Sequence, residues 1–380
     1  MQGAGLPLNN PAQPATSLRP RLSVLSAGSV SIPFPIEASI TSNNHFQSDR
    51  FSISFAINAS ASGELGSPSW WAKQTKIPID IQIGFLPPGV REGIEETTWT
   101  SMQQGEADSV DIDISRGLVT IAGRDYTHKF IDAKTQLAYV NQTSSEVVTA
   151  LAKQAGLSVQ ATATNTPVGR FWATEHDGVS LDQFHNVTTQ WDLITTLARF
   201  EGFDAYVQGT TLYFNPITPP NSDPYVVNYS MDEYGRQSGS IFGLKMSRSL
   251  TVAKGIQVLV KSWNAKHARA FTRGAPSSTP SSNPDVQQYV FIRPNMTEEQ
   301  AQQFANARYA EYVRNELTIS GTLPGDLILT PRSIVSLQGT GTIYDQVYYP
   351  ATITRKVSPQ SGFTMSISCK NHSTQSEASV

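Results

Sequence analysis

Between Leu118 and Asp132 the chain changes its hydrophobic period, and that change limits the folds it can adopt. Leu118-Val119-Thr120-Ile121 reads as a β-run, Gly123-Arg124-Asp125 follows, and Tyr126-Thr127-His128-Lys129-Phe130-Ile131 reads as the start of a helix. Side chains repeat every two residues along a strand and every 3.6 along a helix, so this switch joins two different kinds of layer. A β-region therefore hands over to a helical one here. In the Gly-Arg-Asp triplet the glycine permits a tight backbone turn and the arginine fork suits a carboxylate or carbonyl. The aspartate is placed to cap the following helix.

The region upstream is patterned for strands. Phe51, Ile53, Phe55 and Ile57 alternate with small residues, and Ile77, Ile79, Ile81 and Ile83 repeat the pattern, as do Val110, Ile112 and Ile114. Each run buries one face. Pro78 cannot donate to a ladder, so its strand is expected to begin there or to lie at a sheet edge. Residues 1–20, rich in Pro, Asn, Gly and Ala, read as an extended arm, and about 21–124 as a first barrel or sandwich.

Downstream, Thr143-Ser144-Ser145-Glu146 is a capping box: hydroxyl and carboxylate each satisfy a free amide at a helix start. Val147, Val148, Leu151 and Ala152 form the apolar stripe, and Gly156 ends it. A second helix follows Thr188 or Thr189, buries Trp191, Ile194, Leu197 and Ala198, and stops at Gly202. A hairpin, Phe203 to Val207 and Thr211 to Phe214, comes next. Ile256, Val258 and Val260 alternate again, Phe271 to Asp285 reads as a Pro/Ser-rich exposed loop, and a long helix spans about Thr297 to Asn315. Short strands split by Pro and Gly fill Leu317 to Ser368, where a second small barrel is expected.

Strand, Gly-Arg-Asp, short helix, capped helix, tryptophan helix, hairpin and β-rich tail, in that order over roughly residues 100–370, resemble the tail hub proteins of contractile-tailed bacteriophages, the late control D family. Residues 1–100 match it as a β-rich region of suitable length. The resemblance implies a mainly β fold with an α+β insertion: two tail-tube-like β-barrels joined by a helical middle domain. The corresponding parts are an arm at 1–20, a first barrel at 21–124 and a middle domain at 125–224. A second barrel follows at 225–370, with a helix/loop insertion at about 262–315, and then a flexible tail at 371–380.

It also implies a homotrimer whose six barrels form a pseudo-sixfold ring between a tail tube protein and a central spike protein, beside baseplate wedge or tape measure proteins. Genomic DNA would pass through this ring, which would lie in the baseplate of the virion tail after assembly in the host cytoplasm. The expected interface candidates are Trp70, Trp71, Arg124, Asp125, Tyr344, Tyr348 and Tyr349. Glu95, Glu96, Glu106, Asp108, Asp111 and Asp113 are lumen candidates, because carboxylates along a channel repel phosphates and let a duplex slide. The plain alternative is a solvated strand face.

The rest of the sequence excludes more than it adds. A formal net charge of −3 over 380 residues makes no field able to gather nucleic acid from solution. The single cysteine, Cys369, permits no internal disulfide, fits a reducing cytoplasm and is expected to be a buried small hydrophobe. No run of 18 apolar residues suits a membrane span, and the first residues lack a signal-peptide pattern.

Glu175, His176, Asp177, Asp182 and His185 crowd metal-ligand types together, but without His-Glu-x-x-His spacing they read as a solvated loop. No Gly-x-Ser-x-Gly elbow, Walker loop or dinucleotide fingerprint is present. No catalytic, cofactor-binding or metal site is expected. Two other classes fit the composition: the hub of a related contractile injection machine, and a glycan-binding or depolymerising tail protein, which needs an aromatic and carboxylate groove.

Overall fold

The computed structural model describes residues 19–26, 30–32, 35–44, 46–57, 67–86, 98–134, 139, 142–165, 167–168, 189–217, 223–264, 269–293, 296–313 and 315–371. Glu92, Glu95, Glu96, the His and carboxylate cluster from Glu175 to His185, residues 1–18 and residues 372–380 lie outside the described residues.

The first β-region holds β1 (Arg19–Ser26), β2 (Val30–Ser31), β3 (Pro35–Asn43), β4 (Arg50–Ala56), β5 (Pro78–Leu86), β6 (Thr98–Asp113) and β7 (Leu118–Asp125), with a short helix, α1 (Pro68–Lys73). The alternating isoleucines do what their period requires: Ile53, Ile81, Ile83 and Ile121 are all fully buried on one side of the sheet. Pro78 opens β5, as its missing N–H demands.

The middle region is built from α2 (His128–Ile131), β8 (Gln142–Thr143), α3 (Ser144–Gln154), β9 (Ser158–Ala161), β10 (Pro167–Val168), α4 (Gln190–Glu201), β11 (Phe203–Gln208) and β12 (Thr211–Pro216). Both arms of the Thr143/Glu146 capping box form. Thr189 and Asp192 make a second box at the start of α4, and Gly202 ends that helix at φ 72°, a conformation that favours glycine. Helices and hairpin share one core, with Phe130, Val148, Leu151, Ile194, Leu197, Leu212 and Phe214 inside.

The last region contains β13 (Tyr225–Met231), β14 (Gln237–Gly239), β15 (Phe242–Arg248), α5 (Leu250–Ala253), β16 (Ile256–Asn264), β17 (Arg269–Ala275), β18 (Gln287–Ile292), α6 (Glu298–Val313), β19 (Leu317–Pro324), β20 (Val335–Gln338), β21 (Val347–Ser358) and β22 (Gly362–Asn371). Strands β17-β16-β18 form a separate sheet under α6, packed through Ile256, Val258, Val260, Ala301, Phe304 and Ala305. The Pro/Ser-rich loop is shorter than its composition suggests, because Arg269–Ala275 is a strand paired with β16. Buried Gln257 organises the loop beyond it, donating to the Ser277 and Thr279 carbonyls and accepting from the Ser281 amide.

The two expected barrels are where the structure departs from the sequence reading. Among the described residues no sheet closes on itself. Instead, fourteen strands form one sheet that runs from β2 through β1, β5, β6, β7, β4 and β3 to β21, β20, β13 and β14, with β22, β19 and β15 branching from β21. The junction is the antiparallel pairing of β3 with β21, from Asn43↔Thr352 to Ala38↔Val357. One edge of β21 thus serves two partners: β20 along its first residues and β3 along its last. Pro350, with no N–H to donate, sits at the register shift between Pro350 and Thr352 where the strand changes partner. The two β-regions are therefore joined directly, edge to edge. Val357 packs in the first core, while Ile353 and Cys369 belong to the last. Cys369 is the buried small hydrophobe expected, and burial pushes its thiol up.

Candidate functional site

The Gly-Arg-Asp triplet ends β7, and each of its residues works inside the chain. Gly123 makes no turn: it lies mid-strand, opposite Phe51 and Ala107. A Cβ there would overlap the carbonyl oxygen of Glu106, and one at Gly105 would overlap that of Arg124. These glycines let β6 bulge inward against β7 at Ala107 to Ser109.

Arg124 closes its fork on Asp108 at 2.7 and 2.8 Å and reaches Asp132 at 3.2 Å. Its hydrogen bond and charge hold the Asp108 carboxyl below the usual carboxylate range, against the opposing effect of burial. Asp125 does not cap α2, whose N-cap Thr127 makes no side-chain bond to the helix. Its buried carboxylate instead accepts the hydroxyls of Ser48 at 2.6 Å and Thr127 at 2.7 Å.

The aromatic candidates divide by burial. Trp71, Tyr348 and Tyr349 are buried within the chain, and Trp70 and Tyr344 are half-buried. Trp71 packs on Phe55 at 5.0 Å, and Trp70 meets it edge-on at 4.7 Å. The tryptophan pair sits on α1 against the first core. The Tyr348 hydroxyl donates to the Tyr344 carbonyl at 2.9 Å.

Of the described lumen candidates, Glu106, Asp111 and Asp113 pair opposite Arg124, Thr120 and Leu118, on the face of β7 that alternates with buried Val119, Ile121 and Gly123. Asp108 is the extra residue of the bulge. Glu106 lies 3.7 Å from Lys76 and 3.9 Å from His128, and Lys76 sets a cation of the chain itself beside this end of the row.

Sequence reasoning missed the place where all the regions meet. Between β3 and β4, Asn44 and residues 46–49 touch both other regions. The Asn44 side chain donates to the carbonyls of Pro331 and Pro350, and its amide to that of Ala351. Phe46 stands at φ 66°, a left-handed conformation that is strained for a bulky side chain, and its carbonyl accepts the Trp191 indole N–H at 2.8 Å. Arg332 ties three regions at once: it donates to the Asn43 carbonyl at 3.1 Å and to Asp204 at 3.2 Å, and it covers the Tyr206 ring at 3.7 Å. Arg355, on β21 and 3% exposed, donates to the carbonyls of Asp326 and Leu329.

Asp49, in the same turn, accepts the Asn43 amide at 2.6 Å. Burial, then the neighbouring Asp125 carboxylate, pushes Asp49 up to about 7, while the Asn43 hydrogen bond and the charges of Arg332 and Arg355 oppose the rise. Because the folded-state value lies above the ordinary carboxylate value, the folded protein holds this proton more tightly than the unfolded chain. That contribution to stability is complete at about pH 4 and is lost as pH rises through 7. Asp49→Asn is expected to keep the amide contact and remove this slope. The difference between wild type and variant, read from urea unfolding at pH 5 and pH 8, should change by on the order of a few kcal/mol in favour of the variant. A pH-independent difference would place Asp49 in ordinary ionisation.

Beside this turn lies a cleft of about 610 Å³ between α4, α6, β21 and β22, with Asn44, Phe46, Arg199, Arg308, Glu311 and Lys370 among its walls. The one sequence sign of it was a charged residue inside an apolar helix segment, Leu197-Ala198-Arg199-Phe200. Among the described residues no group of three or more metal-ligating side chains occurs, and no helix is long and apolar enough to cross a membrane.

No protein-family model and no curated protein matches the chain. Solved structures do match its fold. A tail protein from Neisseria meningitidis superposes with a TM-score of 0.63 at 15% identity, covering 93% of this chain and 97% of that one. A 43 kDa tail protein of prophage MuSo2 from Shewanella oneidensis gives 0.62 at 13% identity, over 92% and 98%. An E. coli component of the type VI secretion system, described as structurally similar to the T4 bacteriophage tail proteins gp27 and gp5, gives 0.51 at 10% identity, over 93% and 78%. The chain has a fold shared by phage tail proteins and a secretion-system component.

Proposed function

We propose that this chain is the structural hub of a contractile phage tail: a homotrimer in the baseplate that joins the tail tube to the central spike and lets DNA pass. The observation that carries this reading is end-to-end likeness, since nearly the whole of this chain aligns with nearly the whole of two tail proteins. The Gly-Arg-Asp triplet and the tryptophan pair bond and pack within the chain, as parts of a scaffold do. A hub of a related injection machine is the second reading, favoured by the secretion-system component. The late control D family and the domain bounds at residues 124 and 224 belong to the same proposal. So does a channel-facing role for Asp111 and Asp113.

The proposal puts a contact between protomers at the open edge of β15. This strand pairs with β19 on one side, has no partner on the other among the described residues, and exposes Phe242 and Met246 at 55% and 40%. An unpaired edge carrying apolar side chains is a template for another chain. Light scattering of the wild type is expected to give a trimer mass, and electron-microscope class averages a ring with a hole wide enough for duplex DNA. Phe242→Lys with Met246→Lys should give monomers that stay folded, since neither side chain belongs to the chain's own core, and that melt below the trimer at a temperature independent of concentration. A wild-type monomer at every concentration would remove the self-assembling trimer, and a double variant that still trimerises would move the interface off β15.

A further inference from the structure

The cleft beside Asn44 and Phe46 carries more positive charge than the described residues neutralise. Arg199 and Arg308 stand on its walls, from α4 and α6, close enough to repel each other, and Lys370 on β22 adds a third cation. Its resident carboxylate is Glu311, which Arg308 already holds at 2.7 Å. Asp192, the other acid that Arg199 senses, is engaged in the capping box at the far end of α4.

The Nε atoms of Arg199 and Arg308 are both buried without a hydrogen-bond partner among the described residues. Buried donors are ordinarily satisfied, and an unpaired one costs free energy. Aromatic faces hold the two guanidiniums in place instead: Phe46 lies 5.0 Å from Arg199, and Phe304 lies 5.3 Å from Arg308. The guanidinium donors left over beyond the Arg308–Glu311 bond form a receptor for an anion.

We propose that this cleft receives an acidic side chain, Asp or Glu, carried on a segment of a partner protein. Arg199 and Arg308 clamp the carboxylate, and Lys370 attracts it from the edge. The volume of about 610 Å³ is far more than one carboxylate fills and falls in the range of sites that enclose a small ligand or a few residues of chain. Around the cations, Gln47, Asn306 and Asn315 line the walls, and their amides match the N–H and C=O groups of a peptide backbone. The inference is independent of the tail assignment, because binding is read on the chain itself.

The test is calorimetric titration of the full chain with end-blocked hexaglutamate, with hexaglutamine, and with inorganic phosphate. Hexaglutamate is expected to bind at one site per chain and hexaglutamine not at all. Arg199→Gln and Arg308→Gln should each weaken hexaglutamate binding roughly tenfold or more, the loss expected of a charge-assisted contact, and Lys261→Gln, outside the cleft, should leave it unchanged. Arg199→Lys, which keeps the charge and loses the fork, should fall between wild type and Arg199→Gln, with thermal melting checking that each variant folds. Four outcomes overturn the proposal: no heat with hexaglutamate, equal binding of hexaglutamine, equal binding by the arginine variants, or phosphate binding that hexaglutamate does not displace.

Discussion

Replacing Trp191 with Ala is expected to lower the unfolding free energy by about 3–5 kcal/mol, the range for truncating a large buried aromatic. The indole is 7% exposed and stacks on Phe130 with ring centroids 6.2 Å apart. It is also the hydrogen-bond link from α4 to the Phe46 carbonyl, where the turn is held in a left-handed conformation. Truncation therefore opens a cavity in the middle core and leaves that carbonyl without its donor. Trp191→Phe keeps most of the volume and should cost less, with about 1 kcal/mol of its loss coming from the missing hydrogen bond. Urea unfolding at neutral pH measures both, and a loss below about 1 kcal/mol for the alanine variant would put Trp191 among surface residues.

Arg355→Met should be as damaging, at about 3–5 kcal/mol, for a different reason. Methionine fills a similar volume, so the loss is electrostatic. Asp326, itself 5% exposed, keeps its bonds from the Tyr225 hydroxyl at 2.6 Å and the Ile328 and Leu329 amides, but no longer has the cation beside it. The carbonyls of Asp326 and Leu329 lose their donor. Burial lowers the Arg355 guanidinium, and the neighbouring Asp326, Tyr225 and Asp49 hold it up, so the charge of Arg355 depends on those neighbours. A second substitution, Asp326→Asn, should recover part of the loss, because it removes the stranded carboxylate. Equal stability of Arg355→Met and wild type in urea would show that the buried charge is dispensable.

Local physics was legible from sequence wherever the relevant partners lie a few residues apart. Thr143 and Glu146 are three residues apart, and a capping box needs nothing else, so the start of α3 could be read directly. Gly202 ends α4 because a left-handed residue is needed there, and the hairpin of β11 and β12 follows from its alternation. The same reading failed at Gly123. A glycine before Arg-Asp looks like a turn, whereas its role is to leave room for a bulge in a strand whose position depends on tertiary pairing. The cleft was equally hidden, because a sequence does not say that Arg199 and Arg308, more than a hundred residues apart, share a wall.

What the sequence by itself determined is the kind of each layer: which face of β4, β5 and β7 is buried, where helices begin and stop, and that β gives way to α after residue 125. These follow from periodicity and from satisfying backbone groups nearby. What only the tertiary structure decided is which edges meet. Alternation is satisfied whether strands close into barrels or extend into one sheet, since it specifies faces and not neighbours. Pairing β3 with β21 joins segments some three hundred residues apart, and that choice made one fourteen-stranded sheet where two closed barrels were expected.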